Sequence, residues 1–291
     1  MENEIVVVAR QANIQRQAET DEQLVALWLH GKPATTAAAY FTDIQKFFSF
    51  VDKPLRAVVL RDLQAFLDSM EDVSPNTRRR VIATVKSFYT FAEKLGYVDF
   101  NIGKLIKAPK AKDDLAARIL TEDEILQMIY KTEKQRDNVL LRLLYASGGR
   151  VSEICALTWS DIRPNGDTGQ VTLFGKGGKT RAVKLSAATW KILQAFRNGA
   201  DNTQPVFKSQ EGGGHLTRVQ VHRIIKAAAK RAGISGNVSA HWFRHSHASH
   251  AIDRGANIVL VSNSLGHSSL AVTSRYTHAK PNESSAMFLA V

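Results

Sequence analysis

From residue 21 the apolar positions fall at helical spacing. In DEQLVALWLHG they run up to a glycine suited to end a helix. In TTAAAYFTDIQKFFSFV, Tyr40, Ile44, Phe47 and Phe48 recur at intervals of three and four, one stripe of a helix surface. RAVVLRDLQAFLDSM predicts another helix. Ser74 and Pro75 open SPNTRRRVIATVKSFYTFAEKLG as cap and first-turn residues, and Val81, Val85, Phe88 and Leu95 mark its apolar side before Gly96. Four helices without a strand among them predict a small all-helical domain over 21–105. Residues 1–20, polar and weakly patterned, read as an extension.

KLIKAPKAKDDLAAR loses the period, and its proline and mixed charges predict an extended linker at 106–117. A second domain then spans 118–291. Thr121 followed by Glu124 forms a capping box that opens a helix. DNVLLRLLYASGGR predicts an apolar helix stopped by Gly148 and Gly149, and RVSEICALTWSDI a further helix beginning at Arg150. Next the period changes to two: Val171 and Leu173, then Val183 and Leu185, alternate with polar residues on either side of GKGGK, the pattern of a β-hairpin. Helical stretches follow from near Ser186 and Thr217, then HWFRHSHASH, ANIVLVSNSLG and SLAVTSRYTH. The fold class is mainly α: an N-terminal four-helix domain plus an α-rich domain with a small antiparallel β-sheet. No repeat is visible.

Composition narrows the class. With 44% hydrophobic residues in 291, each domain has the material for a core. One cysteine, Cys155, excludes an internal disulfide and multi-cysteine metal sites; it falls in an apolar pattern and reads as a buried core thiol. MENEIVVVAR has the acidic start and short apolar run that a signal peptide lacks, and no stretch approaches the roughly 18 apolar residues of a membrane span. A cytoplasmic protein without membrane partners is expected. The net charge of +12 and pI near 9.8 point to an anionic polymer as partner. Residues 1–110 carry 15 basic and 13 acidic side chains, whereas residues 111–291 carry 24 and 14, so the excess lies in the second domain. Arg78, Arg79 and Arg80 are candidates for phosphate contact in the first; a solvated helix face is the other reading.

HWFRHSHASH holds four of the nine histidines. On a helix, His241, Arg244 and His245 share one arc, while His247 and His250 face away. Four ligands therefore do not converge, and an arginine among the nearest histidines repels a cation, so no metal is expected. Arginine with histidine three residues away suits a phosphate: guanidinium offers a planar fork of donors, and imidazole adds a donor or a proton.

Arg150 after a double glycine, Lys176 in the hairpin turn, His267 after Leu265 and Gly266, and Tyr276 nine residues later complete a pattern. In order, GGRVSEICALTWSDI, GKGGKTR, HWFRH and LGHSSLAVTSRYTH resemble the motifs of the tyrosine recombinase (phage integrase) family, Xer-type members above all. The first domain resembles that family's SAM-like core-binding domain. SGGR and VSNSLGH depart from the residues usual there, which bears on packing more than on chemistry. The resemblance implies a nucleophile at Tyr276, an arginine pair at Arg150 and Arg244, Lys176 as hairpin lysine in preference to Lys179, and His241 and His267 as supporting histidines. His245 then reads as a packing or hydrogen-bonding residue, and His247 and His250 as ordinary helix residues.

These six residues are chemically coherent. A tyrosine hydroxyl attacks a DNA phosphodiester, leaving a 3′-phosphotyrosyl bond and a free hydroxyl. Paired arginines stabilise the charge gathered on the non-bridging oxygens, with no cofactor required. Lys176 is read as general acid, His241 as base and His267 as phosphate ligand. Attack by a hydroxyl of another strand is strand exchange, serving chromosome dimer resolution, excision or integration. The implied partners are double-stranded DNA bearing a specific recombination site and a homo-tetramer on that DNA, with a second recombinase or activator as a further partner class. The apolar cluster Met287 to Leu289 either packs into a neighbouring protomer, as the resemblance implies, or onto its own domain. The chain before residue 21 is short for an additional arm-binding domain. Two other readings stand: type IB topoisomerase-like relaxation, which reseals the same strand, and a DNA-binding protein without catalysis. Product topology with paired sites separates the first, and a covalent adduct the second.

Overall fold

The computed structural model describes residues 17–109, 115–175, 178–267 and 269–277. Its chain divides into two units, Met1–Lys112 and Asp113–Val291.

The first unit holds α1 (Asp21–Leu29), α2 (Ala34–Val51), α3 (Leu60–Asp68) and α4 (Pro75–Lys94). Side chains replace the backbone partners missing at helix starts: Thr20 accepts from the Gln23 amide, and Ser74 from that of Thr77. The predicted stripe of α2 packs inward, with Ile44 and Phe47 fully buried and Tyr40 and Phe48 at the margin of the core. Phe47 meets Phe66 edge-on at 5.3 Å, and Tyr40 stacks on Trp28 at 5.0 Å. Of RAVVL, expected to begin a helix, Arg56 and Ala57 belong to a 3-10 turn, Leu55–Ala57, and only Leu60 to α3. Asp43 lies wholly inside, accepting from Thr84 and from Arg80.

The second unit is built on α5 (Glu122–Tyr130), α6 (Gln135–Ser147), α7 (Val151–Cys155), α8 (Ala187–Arg197), α9 (Arg218–Ala232), α10 (Ala240–Asp253), α11 (Ile258–Leu265) and α12 (Leu270–Ser274). The capping box of α5 forms in both directions, 2.7 Å and 3.1 Å between Thr121 and Glu124. α6 ends at Gly148, whose φ of +58° a residue with a Cβ adopts only under strain.

RVSEICALTWSDI does not continue as one helix. α7 stops at Cys155, because the backbone beyond finds other partners: the Val206 amide donates to Leu157, and those of Trp159 and Ser160 to Gln204 and Asn202. Asp161 caps the following turn by accepting from the Thr158 amide at 2.9 Å. Ile162 then starts an edge strand, β1 (Ile162–Asn165), pairing antiparallel with β2 (Thr168–Phe174), which pairs with β3 (Thr180–Leu185). In the hairpin Val171 faces Val183, and Val171, Leu173, Val183 and Leu185 are all buried. Each contributes roughly 1.5–3 kcal/mol by leaving water. Among the described residues no helix is long and apolar enough to cross a membrane.

Candidate active site

α10 carries the HWFRHSHASH segment, and its faces go to different neighbours. Toward α6, His247 donates from Nδ1 to the Tyr145 carbonyl at 2.7 Å, while His250 Nδ1 hydrogen-bonds the Tyr145 hydroxyl at 2.9 Å. These two histidines fasten α10 to α6 and stand apart from the arc of His241, Arg244 and His245. Among the described residues no group of three or more His, Cys, Asp or Glu side chains is gathered for a metal ion.

Arg244 is 5% exposed, and its two terminal nitrogens donate at 2.7 Å to the carbonyls of Gly148 and Leu265. Both carbonyls belong to helix C-termini, of α6 and α11, where backbone oxygens lack helical partners and the dipole favours a cation. Thus the glycine that stops α6 also aims an arginine. Among the described residues no carboxylate pairs with Arg244. Burial, with Arg150 and Arg181 nearby, pushes its guanidinium down to about 10, still a cation at neutral pH.

Arg150 caps α7 and donates to Glu153 at 3.0 Å and to the Gly266 carbonyl at 3.2 Å. Glu153, buried at the start of the same helix, also receives both terminal nitrogens of Arg181 from β3, at 3.0 and 2.7 Å. Arg181 anchors the hairpin further through the Ser264 carbonyl at 2.7 Å. Burial raises the Glu153 carboxyl, but hydrogen bonds and charge from Arg181 and Arg150 outweigh it and hold the group below the ordinary range. Two guanidinium groups therefore share one carboxylate, and Arg244 pairs with none among the described residues, which leaves an excess of positive charge here. A cleft of about 600 Å³ opens beside them, lined among others by Arg150, Lys179, Arg181, Gly266 and His267. Lys176 lies outside the described residues. Lys179, its alternative, sits at the cleft with its carbonyl accepting from the Gly175 amide at 2.7 Å to close the hairpin loop.

His267 lies beside this cleft, its Nδ1 2.7 Å from Thr273 Oγ1 and its ring parallel to that of Tyr276 at 6.4 Å. Burial and the charges of Arg244, Arg150 and Arg181 push it down to about 4, so it is neutral at pH 7. His241 is lowered too, by burial first and then by the charges of Arg244, Arg150 and Arg118. Tyr276, 4% exposed in the 3-10 turn after α12, packs with Leu115, Ile119, Ala248, Val261 and Leu265. Its hydroxyl meets His245 Nδ1 at 2.8 Å. His241, expected as the base, lies one turn earlier on α10, its ring 6.4 Å from that of His245. Burial raises the Tyr276 hydroxyl above its usual 10, although Arg244 and Arg275 lower it, so it is protonated at neutral pH.

Five of the six expected site residues thus occupy one region, formed by the ends of α6, α7, α10 and α11 and the turn after α12. Glu153 and Arg181 lie within GGRVSEIC and at the last residue of GKGGKTR, but nothing in either motif pairs them, and only the sheet brings them within reach of each other.

The chain belongs to the phage integrase family and is a tyrosine site-specific recombinase, an enzyme that breaks and rejoins DNA strands: residues 118–283 match the phage integrase family and residues 26–96 its N-terminal SAM-like domain. Among relatives, it is similar to a tyrosine recombinase of Thermosipho africanus (strain TCF52B), 32% identical over 259 residues that cover 85% of this chain and 90% of the relative. Tyrosine recombinase XerC of Xylella fastidiosa (strain 9a5c) is 34% identical over 261 residues, 85% of this chain and 87% of that one. The fold is shared with a lambda integrase dimer bound to a COC′ core site, with a TM-score of 0.75 and 20% identity over 91% of this chain and 98% of that one. It is shared likewise with the XerH site-specific recombinase on a palindromic difH substrate after cleavage, with a TM-score of 0.73 and 20% identity over 90% and 82%.

Proposed function

We propose that this recombinase cuts DNA by attack of Tyr276 on a phosphodiester held by Arg150 and Arg244, forming a 3′-phosphotyrosyl intermediate, and exchanges strands between two copies of a specific site. The observation that carries this reading is Arg244: buried, cationic, aimed by two helix-end carbonyls, and paired with no carboxylate among the described residues. Two arginines positioned before the substrate arrives stabilise charge developing on the phosphoryl oxygens. His241 and His267, neutral in this basic setting, serve as hydrogen-bond donors to that phosphate. Lys176 is the general acid that protonates the departing deoxyribose oxygen.

The division of labour between domains follows: 21–105 grips DNA, 106–117 links, and 118–291 carries the chemistry. Arg79, exposed on α4, is a phosphate contact of the first unit, with Arg78 beside it. On DNA the active assembly is a tetramer joined by exchange of C-terminal tails through Met287 to Leu289, residues outside those described. A lambda integrase tetramer has been solved on a Holliday junction, which supports that assembly. The same reading makes it a cytoplasmic enzyme of chromosome dimer resolution, excision or integration, with a second recombinase or an activator as a further partner class.

The decisive experiment traps the covalent intermediate. With a nicked duplex bearing the site that the protein selects from a random DNA pool, the native chain forms a protein–DNA adduct, and Tyr276→Phe forms none while binding the same DNA. An adduct that persists in Tyr276→Phe sinks the assignment. EDTA leaves the yield unchanged, and strict dependence on a divalent metal contradicts the arginine-based scheme.

A further inference from the structure

The Tyr276 hydroxyl sits on a group that the six-residue pattern leaves out. Its hydrogen bond, 2.8 Å long, is to Nδ1 of His245, within the reach required of a proton acceptor. The two rings are tilted at 44° with centroids 5.7 Å apart, so the contact runs edge to hydroxyl rather than face to face. His245 lies one turn after His241 on α10, the spacing that sets both on one face.

We propose that His245 is a further catalytic residue, the acceptor of the Tyr276 proton, and that it takes up this role only when a DNA phosphate occupies the arginine site. The proposal rests on Tyr276 being the nucleophile. Written out, the Tyr276 O–H bond breaks and its proton passes to His245 Nδ1, while the oxygen's electron pair forms the new O–P bond. The bond from phosphorus to the deoxyribose oxygen breaks, and that oxygen takes a proton from the general acid. Rejoining runs the same transfers backward and returns the proton to the tyrosine.

Charge supplies the gate. Facing His245 are His241 and Arg244 from its own helix, Arg118 from the turn that begins the second unit, and Arg275 and Tyr276 from the turn after α12. Burial first, then this basic surround, pushes the imidazole down to about 4. An imidazolium there is opposed while the site is empty, and the tyrosine stays protonated and buried. A phosphodiester beside Arg244 and Arg150 brings a negative charge into the same field. Opposition to the imidazolium falls as the nucleophile meets its target, which restrains unproductive ionisation away from DNA.

The test uses the full chain and the same nicked duplex. Asn places an amide oxygen where Nδ1 was, so His245→Asn keeps a hydrogen-bond acceptor but no base. The expected result is unchanged DNA binding with adduct formation slowed about 100-fold. Trifluorotyrosine at position 276, a more acidic phenol, recovers most of that loss, because it needs no base. A rate within about twofold of the native chain, or no recovery with the fluorinated tyrosine, overturns the proposal. A second measurement leaves His245 in place: in Tyr276→Phe, the ring of His245 followed by NMR titrates at higher pH with DNA bound than without. Absence of that upward shift overturns it even where the Asn variant misfolds. An adduct lost in Tyr276→Phe but formed at full rate in His245→Asn removes this inference alone, whereas one retained in Tyr276→Phe removes the nucleophile assignment with it.

Discussion

Neighbouring arginines on one helix serve different ends. Arg80 is turned onto Asp43, a carboxylate with no exposure to water that Thr84 also holds. Arg79 next to it is exposed. The Arg80 side chain is itself 45% exposed, but Asp43 is fully buried, so removing Arg80 leaves that carboxylate without its cation, at a cost of about 2 kcal/mol. Arg80→Ala is therefore expected to lower the unfolding free energy by about that amount in denaturant titration. Arg79→Ala should stay within about 0.5 kcal/mol of the native chain. If Arg79 touches a phosphate, its loss also reduces the salt dependence of DNA binding by about one unit of log–log slope. Equal stabilities for the two variants refute the structural role given to Arg80. The RRR run itself gave no way to separate these residues, because the partner that distinguishes them lies on another helix.

Helix ends, more than helix bodies, shape the candidate site. Gly148 closes α6 in a left-handed conformation, and its carbonyl holds Arg244. A Cβ at this position stands 2.7 Å from both His247 Cδ2 and Leu265 Cδ2, on side chains packed into the region. Gly233 ends α9 with a similar φ of +77° but has nothing within 4 Å of such a Cβ. Left-handed strain alone costs roughly 1–2 kcal/mol, and overpacking adds about 1–3 kcal/mol. Gly148→Ala should thus lose about 3 kcal/mol and much of its cleavage rate, whereas Gly233→Ala loses about 1 kcal/mol and cleaves normally. Matching losses in thermal unfolding and adduct assays contradict this account. The glycine stop of α6 was visible from its pattern of apolar residues; its task of aiming Arg244 was not, since Gly148 and Arg244 are far apart in the chain.

At the scale of the whole molecule, the basic balance that suits DNA also governs stability in acid. His245 and His267 are pushed to about 4, and His247 is lowered mainly by burial. Unfolded, each titrates near 6.5, so between about pH 6.5 and 4 the unfolded chain binds more protons than the folded one. Stability is full above pH 6.5 and falls as the pH drops through that window, by up to about 1.4 kcal/mol per pH unit for the more buried His245 and by less for the half-exposed His267, which solvent screens. Below it the lowered carboxyl of Glu153 adds a loss of the same sign. Unfolding midpoints of the DNA-free protein should fall steadily from pH 7 to 5, and a flat profile counts against neutral histidines. Bound DNA should reduce this fall, because a phosphate offsets the charge that opposes their protonation.

Periodicity and turn chemistry by themselves determined the first unit's helices, the hairpin with its inward Val171, Leu173, Val183 and Leu185, and the glycine stop after α6. These are local matters, settled within a few residues by burial and backbone geometry. The resemblance of the ordered motifs to the tyrosine recombinase family pointed to Arg150, His241, Arg244, His267 and Tyr276, because the order and residue types of those short motifs can be read along the chain. Tertiary structure decided the rest. RVSEICALTWSDI broke after α7 because the segment around 202–206 offered its backbone better partners. Glu153 became the shared counter-charge of Arg150 and Arg181, and His245 rather than His241 came to lie against the tyrosine hydroxyl. Charge pairing and proton transfer act across a few ångströms between segments distant in sequence, and only the packed chain sets those distances.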